Sequence, residues 1–192
     1  METALAMEID FVRYCLEDGR AGRVSRMPVS ALSNIAALQS DMGLHDEADR
    51  IWRDILVNEE VYSGKENPKT LQSKRNVAIG CANLNRLEEA EEILREVLEV
   101  SERVLWREHL DTLATMDQLA GVLARRHKTE EAIQLWEECL EGWADILDKQ
   151  HPLTMRTVQA LARMRDDLAV LAQKDFQAGG FMFSWGCYFV SQ

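Results

Sequence analysis

The chain has 192 residues, with 33 acidic against 22 basic side chains, a formal net charge of −11 at pH 7, and 46% hydrophobic residues. That is enough apolar material for one or two globular domains or a short solenoid, and only 3 prolines argue against a long disordered stretch. The acid excess disfavours nucleic acid and anionic membrane surfaces, both of which select for lysine and arginine.

The N-terminal stretch Met1-Glu2-Thr3-Ala4-Leu5 lacks the basic start of a signal peptide, and Glu8 and Asp10 would interrupt its apolar core. No run of about 18 apolar residues exists to span a bilayer. Cys15, Cys81, Cys139 and Cys187 lie far apart without a C-x-x-C pair, so neither a zinc knuckle nor a compact disulfide framework is expected. A reducing, cytoplasmic setting is the expectation. Residues 1–25 read as one helix, the second half of an incomplete pair, ended by the Gly19 to Gly22 region.

A repeat then governs the chain. Thr70-Leu71, Thr112-Leu113 and Thr154-Met155 stand 42 residues apart. The same step links Glu47-Ala48, Glu89-Ala90 and Glu131-Ala132, and carries Asn34-Ile35-Ala36 to Asn76-Val77-Ala78 and on to Gln118-Leu119-Ala120. Three helical pairs are predicted, over 26–67, 68–109 and 110–151. In the middle one, Leu71, Val77, Ala78 and Leu84 form a first apolar stripe behind Pro68, which suits a first-turn position. Asn85-Arg86 breaks it, and Leu87, Ala90, Ile93, Leu94, Val97 and Leu98 form a second stripe at helical spacing. Glu88, Glu89, Glu91 and Glu92 crowd the start of that second helix, opposing its positive dipole end. Ala36, Ala78 and Ala120, facing Ala48, Ala90 and Ala132, allow close helix approach. Trp52 and Trp136 share one repeat position and read as core, whereas Trp106 falls in an inter-unit turn and is expected to be exposed. Cys81 and Cys139 fall within apolar stripes and read as small buried hydrophobes.

Residues 152–173 supply a fourth first-helix without a partner, because Lys174 stands where the partner's alanine belongs and Gly179-Gly180 follow. Residues 174–192 form an apolar tail from Phe181 to Val190. Three readings stay open for it: a substitute cap over the last helix, a contact for a partner or a second copy, or the remnant of an array that once continued.

These residues resemble the kinesin-light-chain type of tetratricopeptide repeat. The resemblance rests on His151-Pro152-Leu153-Thr154-Met155, Asn67-Pro68-Lys69-Thr70-Leu71, His109-Leu110-Asp111-Thr112-Leu113 and Gly43 at the first turn, with Asn85 and His127 in its place later. It covers roughly residues 4–172 and implies an all-α solenoid, a superhelical stack of antiparallel helix pairs. The first helix of each pair would line a concave groove. Carried over by register, the groove positions are Ser30, Ser33, Asn34, Ala37 and Asp41, then Gln72, Arg75, Asn76, Ile79 and Asn83, then Asp117, Gln118, Gly121 and Arg125. Family asparagines hydrogen-bond an extended peptide, a task suited to a group that both donates and accepts. Asn34, Asn76 and Asn83 match, while Gln118 and Ala160 depart. Arg75 beside Asn76 resembles a carboxylate clamp, but Ser33, Ala37, Ala114 and Gln118 occupy the other clamp positions.

No catalytic constellation accompanies the repeat: G-x-S-x-G, a phosphate-cradling loop and H-E-x-x-H are all absent. Adjacent acids such as Glu137-Glu138 point about 100° apart on a helix and do not face one another as an acid–base pair would. His109 and His151 share one helix-start position, so no metal site is expected, and no cofactor. The expected function is a non-enzymatic adaptor binding a protein or peptide segment, through Asn34, Gln72, Arg75, Asn76, Asn83, Gln118 and Arg125. The alternative is a regulatory array like those attached to nucleotide-binding switch domains in fungal proteins.

Overall fold

A computed structural model describes residues 29–147 and 150–177, with side chains as far as Asp166 except that of Asp145. The tail from Phe181 and the helix expected within residues 1–25 lie outside the described residues. Seven helices follow one another: α1 Val29–Asp41, α2 His45–Ser63, α3 Pro68–Asn83, α4 Leu87–Leu105, α5 Leu110–Arg125, α6 Thr129–Ile146 and α7 Pro152–Gln177. Connections of three to five residues force consecutive helices to lie antiparallel. The main packing contacts run between consecutive helices, with α3 also touching α5. The result is a one-dimensional stack of hairpins.

The connections explain the repeat's polar letters. After α1, α3 and α5, the residue in the left-handed region is Gly43 (φ 81°), Asn85 (φ 61°) and His127 (φ 60°). Each turn closes with the same pair of bonds: in the second, Arg86 N–H donates to Cys81 O at 2.8 Å and Asn85 N–H to Ala82 O at 3.0 Å. Ala169 occupies this register position at the fourth step, and there α7 runs on without a turn to Gln177. Alanine gains nothing from a left-handed conformation. At the other set of connections, Asn67, His109 and His151 accept helix-start amides from Lys69, Asp111 and Leu153 at 3.0, 3.1 and 3.3 Å. Thr70 and Thr112, both fully buried, tie their loops back through Thr70 Oγ1 to Gly64 O (2.7 Å) and Thr112 Oγ1 to Trp106 O (2.9 Å).

Between these turns the alanines do what their size suggests. Ala36, Ala48, Ala78, Ala90, Ala120 and Ala132 are all completely buried, inside a core that also takes Trp52, Trp136, Leu94 and Cys81. A second cluster forms around Leu113, Met116, Cys139 and Trp143. Burial pushes the Cys81 thiol up to about 11 and the Cys139 thiol up to about 12, so both stay protonated and act as small apolar groups. Gly80 sits against Trp52: a Cβ there would lie 3.0 Å from both the indole ring and Asp49 Oδ1. The next unit carries Val122 and Leu94 at the equivalent positions, trading a large and a small residue for two of middling size.

The second helices are tied together by an ionic ladder with the same 42-residue step. Asp49 Oδ2 accepts from Arg53 at 2.9 Å and from Arg86 at 2.8 Å, and Arg53 reaches on to Glu89 at 2.8 Å. One unit later Glu91 takes Arg95 at 2.8 Å and Lys128 at 2.7 Å, and Arg95 reaches on to Glu131 at 2.8 Å. Arg126 also pairs with Glu91. The ladder stops where Ile133 takes the next acidic position. Glu89 and Glu91 therefore serve as rungs, which is more than the dipole role their position at the helix start suggests. Burial alone would raise the Glu91 carboxyl, but hydrogen bonds from Lys128, Arg95 and Arg126 outweigh it and hold the group down at about 2.

Three outcomes follow for stability. Gly80→Val costs about 1–3 kcal/mol by overpacking, and adding Trp52→Leu costs less than the two separate losses predict, by about 1 kcal/mol or more; urea denaturation of the four proteins checks this. Glu91 has its folded value depressed below the ordinary 4.5, so its stabilisation is full above that pH and fades as pH falls toward about 2. Glu91→Gln should accordingly cost about 2 kcal/mol at neutral pH and progressively less on acidification. Trp106 holds φ 59° and ψ 166°, a region suited to the glycine its equivalent Gly64 supplies. Trp106→Gly should raise stability by about 1 kcal/mol, read as a higher melting temperature.

Candidate functional site

The first helices α1 and α3 present their polar sides to a cleft of about 810 Å³. Three walls enclose it. Ser30, Ser33 and Asn34 come from α1, Lys69, Gln72, Ser73 and Asn76 from α3, and Asn58, Glu59, Tyr62 and Ser63 from the last turns of α2. The register explains the first two walls: positions three and four apart on a helix share a face, so Ser30, Ser33 and Asn34 point together, as do Lys69, Gln72, Ser73 and Asn76. Antiparallel pairing then brings the C-terminal end of α2 beside the N-terminal ends of α1 and α3.

Three of the groove residues expected from sequence, Asn34, Gln72 and Asn76, meet in this cleft. Their amides form no side-chain hydrogen bond among the described residues. The other four are placed elsewhere. Arg75 is turned toward the protein: its side chain is 13% exposed, and its guanidinium donates to Asp111 O at 3.0 Å and lies 3.5 Å from the Asp111 carboxylate. Burial lowers its pKa, partly offset by Asp111. Asn83 lies at the far end of α3, where Nδ2 donates to Ser40 Oγ at 2.9 Å. Arg125 is exposed at the end of α5, 3.5 Å from Asn85 Oδ1. Gln118 is half-buried on α5, outside the cleft.

The wall from α2 is absent from the sequence reading, which carried over first-helix positions alone. A signal was present: Asn58, Glu59, Tyr62 and Ser63 correspond by register to Val100, Ser101, Val104 and Leu105, and then to Gly142, Trp143, Ile146 and Leu147. Only the first unit is polar throughout that turn.

Among the described residues there is no group of three or more metal-ligating side chains, and no helix is long and apolar enough to cross a membrane. Glu137 and Glu138, adjacent in sequence, pair separately with Arg165 and Arg107. Trp106 is 66% exposed, its ring edge-on to His109 at 6.4 Å.

Stacked antiparallel hairpins with a polar concave cleft define an α-solenoid of helical repeats. The tetratricopeptide repeat pattern matches residues 29–103 and 111–169, and the chain belongs to that family. A putative kinesin light chain with nearly identical TPR-like repeats, from Podosopora anserina, superimposes with a TM-score of 0.69 at 22% identity, over 83% of this chain and 79% of that one. BtubC (BKLC) from P. vanneervenii gives 0.65 at 18% identity, covering 96% and 78%. The Sgt2 TPR domain from Aspergillus fumigatus gives 0.52 at 13% identity, covering 86% and 92%. At these identities the likeness is one of fold. No curated protein sequence matches the chain. Tetratricopeptide repeats generally act as protein–protein interaction scaffolds and are typically non-enzymatic.

Proposed function

We propose that the chain is an adaptor that holds an extended segment of a partner protein in the cleft between α1, α2 and α3. One observation carries this reading: Asn34, Gln72 and Asn76, from two successive first helices, converge on one hollow and have no partner of their own among the described residues. An extended peptide presents an unpaired N–H and C=O at each residue, and an amide side chain satisfies both. The cleft volume lies within the range typical of ligand sites. Its lining side chains are mostly polar, with Lys69 and Glu59 as opposite charges and Val29 and Tyr62 supplying apolar surface, which suits an extended segment recognised through its main chain more than an apolar helix face.

The placement of the other expected residues narrows the site. Arg75 already has Asp111, and Asn83 already has Ser40, so recognition centres on the N-terminal halves of α1 and α3. The test is selection of peptides from a displayed random library on the full chain, followed by affinity measurement on purified variants. Asn76→Ala should weaken binding about tenfold or more, as expected when a peptide group loses its partner in a water-poor site. Asn83→Ala should leave affinity unchanged, and both variants should keep wild-type helicity. Equal affinity for wild type and Asn76→Ala would remove the cleft from the function.

A further inference from the structure

By register the cleft between units one and two has counterparts at the next two steps, and each of those carries an ion pair made within the chain. At the second step Arg75 lies in the interior, bound to Asp111. At the third, Asp117 takes the register position of Arg75, accepts from Thr157 Oγ1 at 3.1 Å and pairs with Arg156. Trp143 also packs there, 1% exposed. Each of these steps therefore holds an arginine paired with a carboxylate across neighbouring units.

The first step breaks the pattern twice. Ser33 stands where Arg75 and Asp117 stand, supplying neither charge. Glu59 stands where Ser101 and Trp143 stand. This carboxylate is 8% exposed and faces the cleft; Ser63 Oγ donates to its Oε2 at 2.7 Å, and no cation is within ion-pairing distance among the described residues. Ser73 is 6% exposed, lines the same cleft, and has a hydroxyl without a partner among the described residues. Carboxylates this enclosed are ordinarily paired with a cation. A carboxylate and a hydroxyl open to one cleft offer acceptors that a guest's donor can take in place of water.

Building on the peptide-binding reading above, we infer that this corner of the cleft receives a guanidinium side chain of the guest segment, which completes from outside the arginine–carboxylate pair that the later steps make internally. Glu59 is the counter-ion, Ser73 and Asn58 offer acceptors to the remaining N–H groups, and Tyr62 borders the entrance. Arginine suits the corner better than lysine, since its planar fork reaches several acceptors at once.

The test takes peptides selected on the full chain and replaces their arginine with citrulline, which keeps the shape and removes the charge. Selected peptides should share one arginine position, and citrulline should weaken them about tenfold or more. Glu59→Gln should erase the difference between arginine and citrulline without lowering the melting temperature. Ser33→Arg should fill the corner from inside and abolish binding; should that variant misfold, Glu59→Gln still decides. The inference is overturned if citrulline peptides bind as well as arginine peptides, or if Glu59→Gln keeps the preference. Peptides that depend on Asn76 yet show no arginine position would sink the guanidinium corner and leave the adaptor standing. Failure to select any peptide would sink both. Binding that emerges only after Arg20, Arg23 and Arg26 are replaced by alanine would make the chain's own N-terminal segment the occupant, which also overturns it.

Discussion

Six alanines without solvent exposure set the spacing of the whole stack. A methyl group at each of these contacts lets paired helices approach closely, and a larger residue there would force them apart. Once the spacing is fixed, so is the hollow left beneath each pair of first helices, and every unit must deal with the same space. The third step fills it with Trp143 and an Asp117–Arg156 pair, and the second with Arg75 on Asp111. The first leaves it open. The cleft is thus a consequence of uniform stacking combined with one unit that omits the filler.

The two sides of the solenoid divide their work. Along the second helices the ionic ladder repeats from Asp49, Arg53, Arg86 and Glu89 to Glu91, Arg95, Lys128 and Glu131. Its central carboxylates, Asp49 and Glu91, are buried and each takes more than one cation, whereas Glu89 and Glu131 reach solvent. An exposed ion pair contributes little by itself, but a network around a buried carboxylate fixes register between units. That leaves the first helices free to vary. Their cross-unit contacts differ at every step, and it is there that the cleft lies.

Much of the fold was legible because repetition converts chemistry into spacing. The threonines at 70 and 112 mark loop-tying positions, His109 and His151 mark helix starts, and Gly43, Asn85 and His127 mark left-handed turns. Each is a local rule, readable from one segment. The ladder was not legible in the same way. Glu89 and Glu91 look like dipole-opposing acids in their own helix, and their partners Arg53 and Lys128 sit 36 and 37 residues away. The site was half legible. Asn34, Gln72 and Asn76 follow from register, whereas Arg75 has the same register credentials and is taken up by Asp111, a neighbour that periodicity within one helix does not reveal. The wall from α2 escaped because a repeat consensus directs attention to what the units share.

In the proposed reading, what the units do not share carries the functional content. A consensus position answers to the stack, since every copy must satisfy the same neighbours; a departure answers to something else or is a loss. Glu59 is a departure in charge: a carboxylate-bearing residue, 8% exposed and facing the cleft, where equivalent units hold a hydroxyl and an indole. Ser101 and Trp143 show that uncharged residues fit the position. Asn58, Tyr62 and Ser63 depart in the same polar direction and line the same hollow. Four departures confined to one turn, facing one cleft that the alanine spacing holds open, are more economically explained by a guest that completes them than by four independent losses.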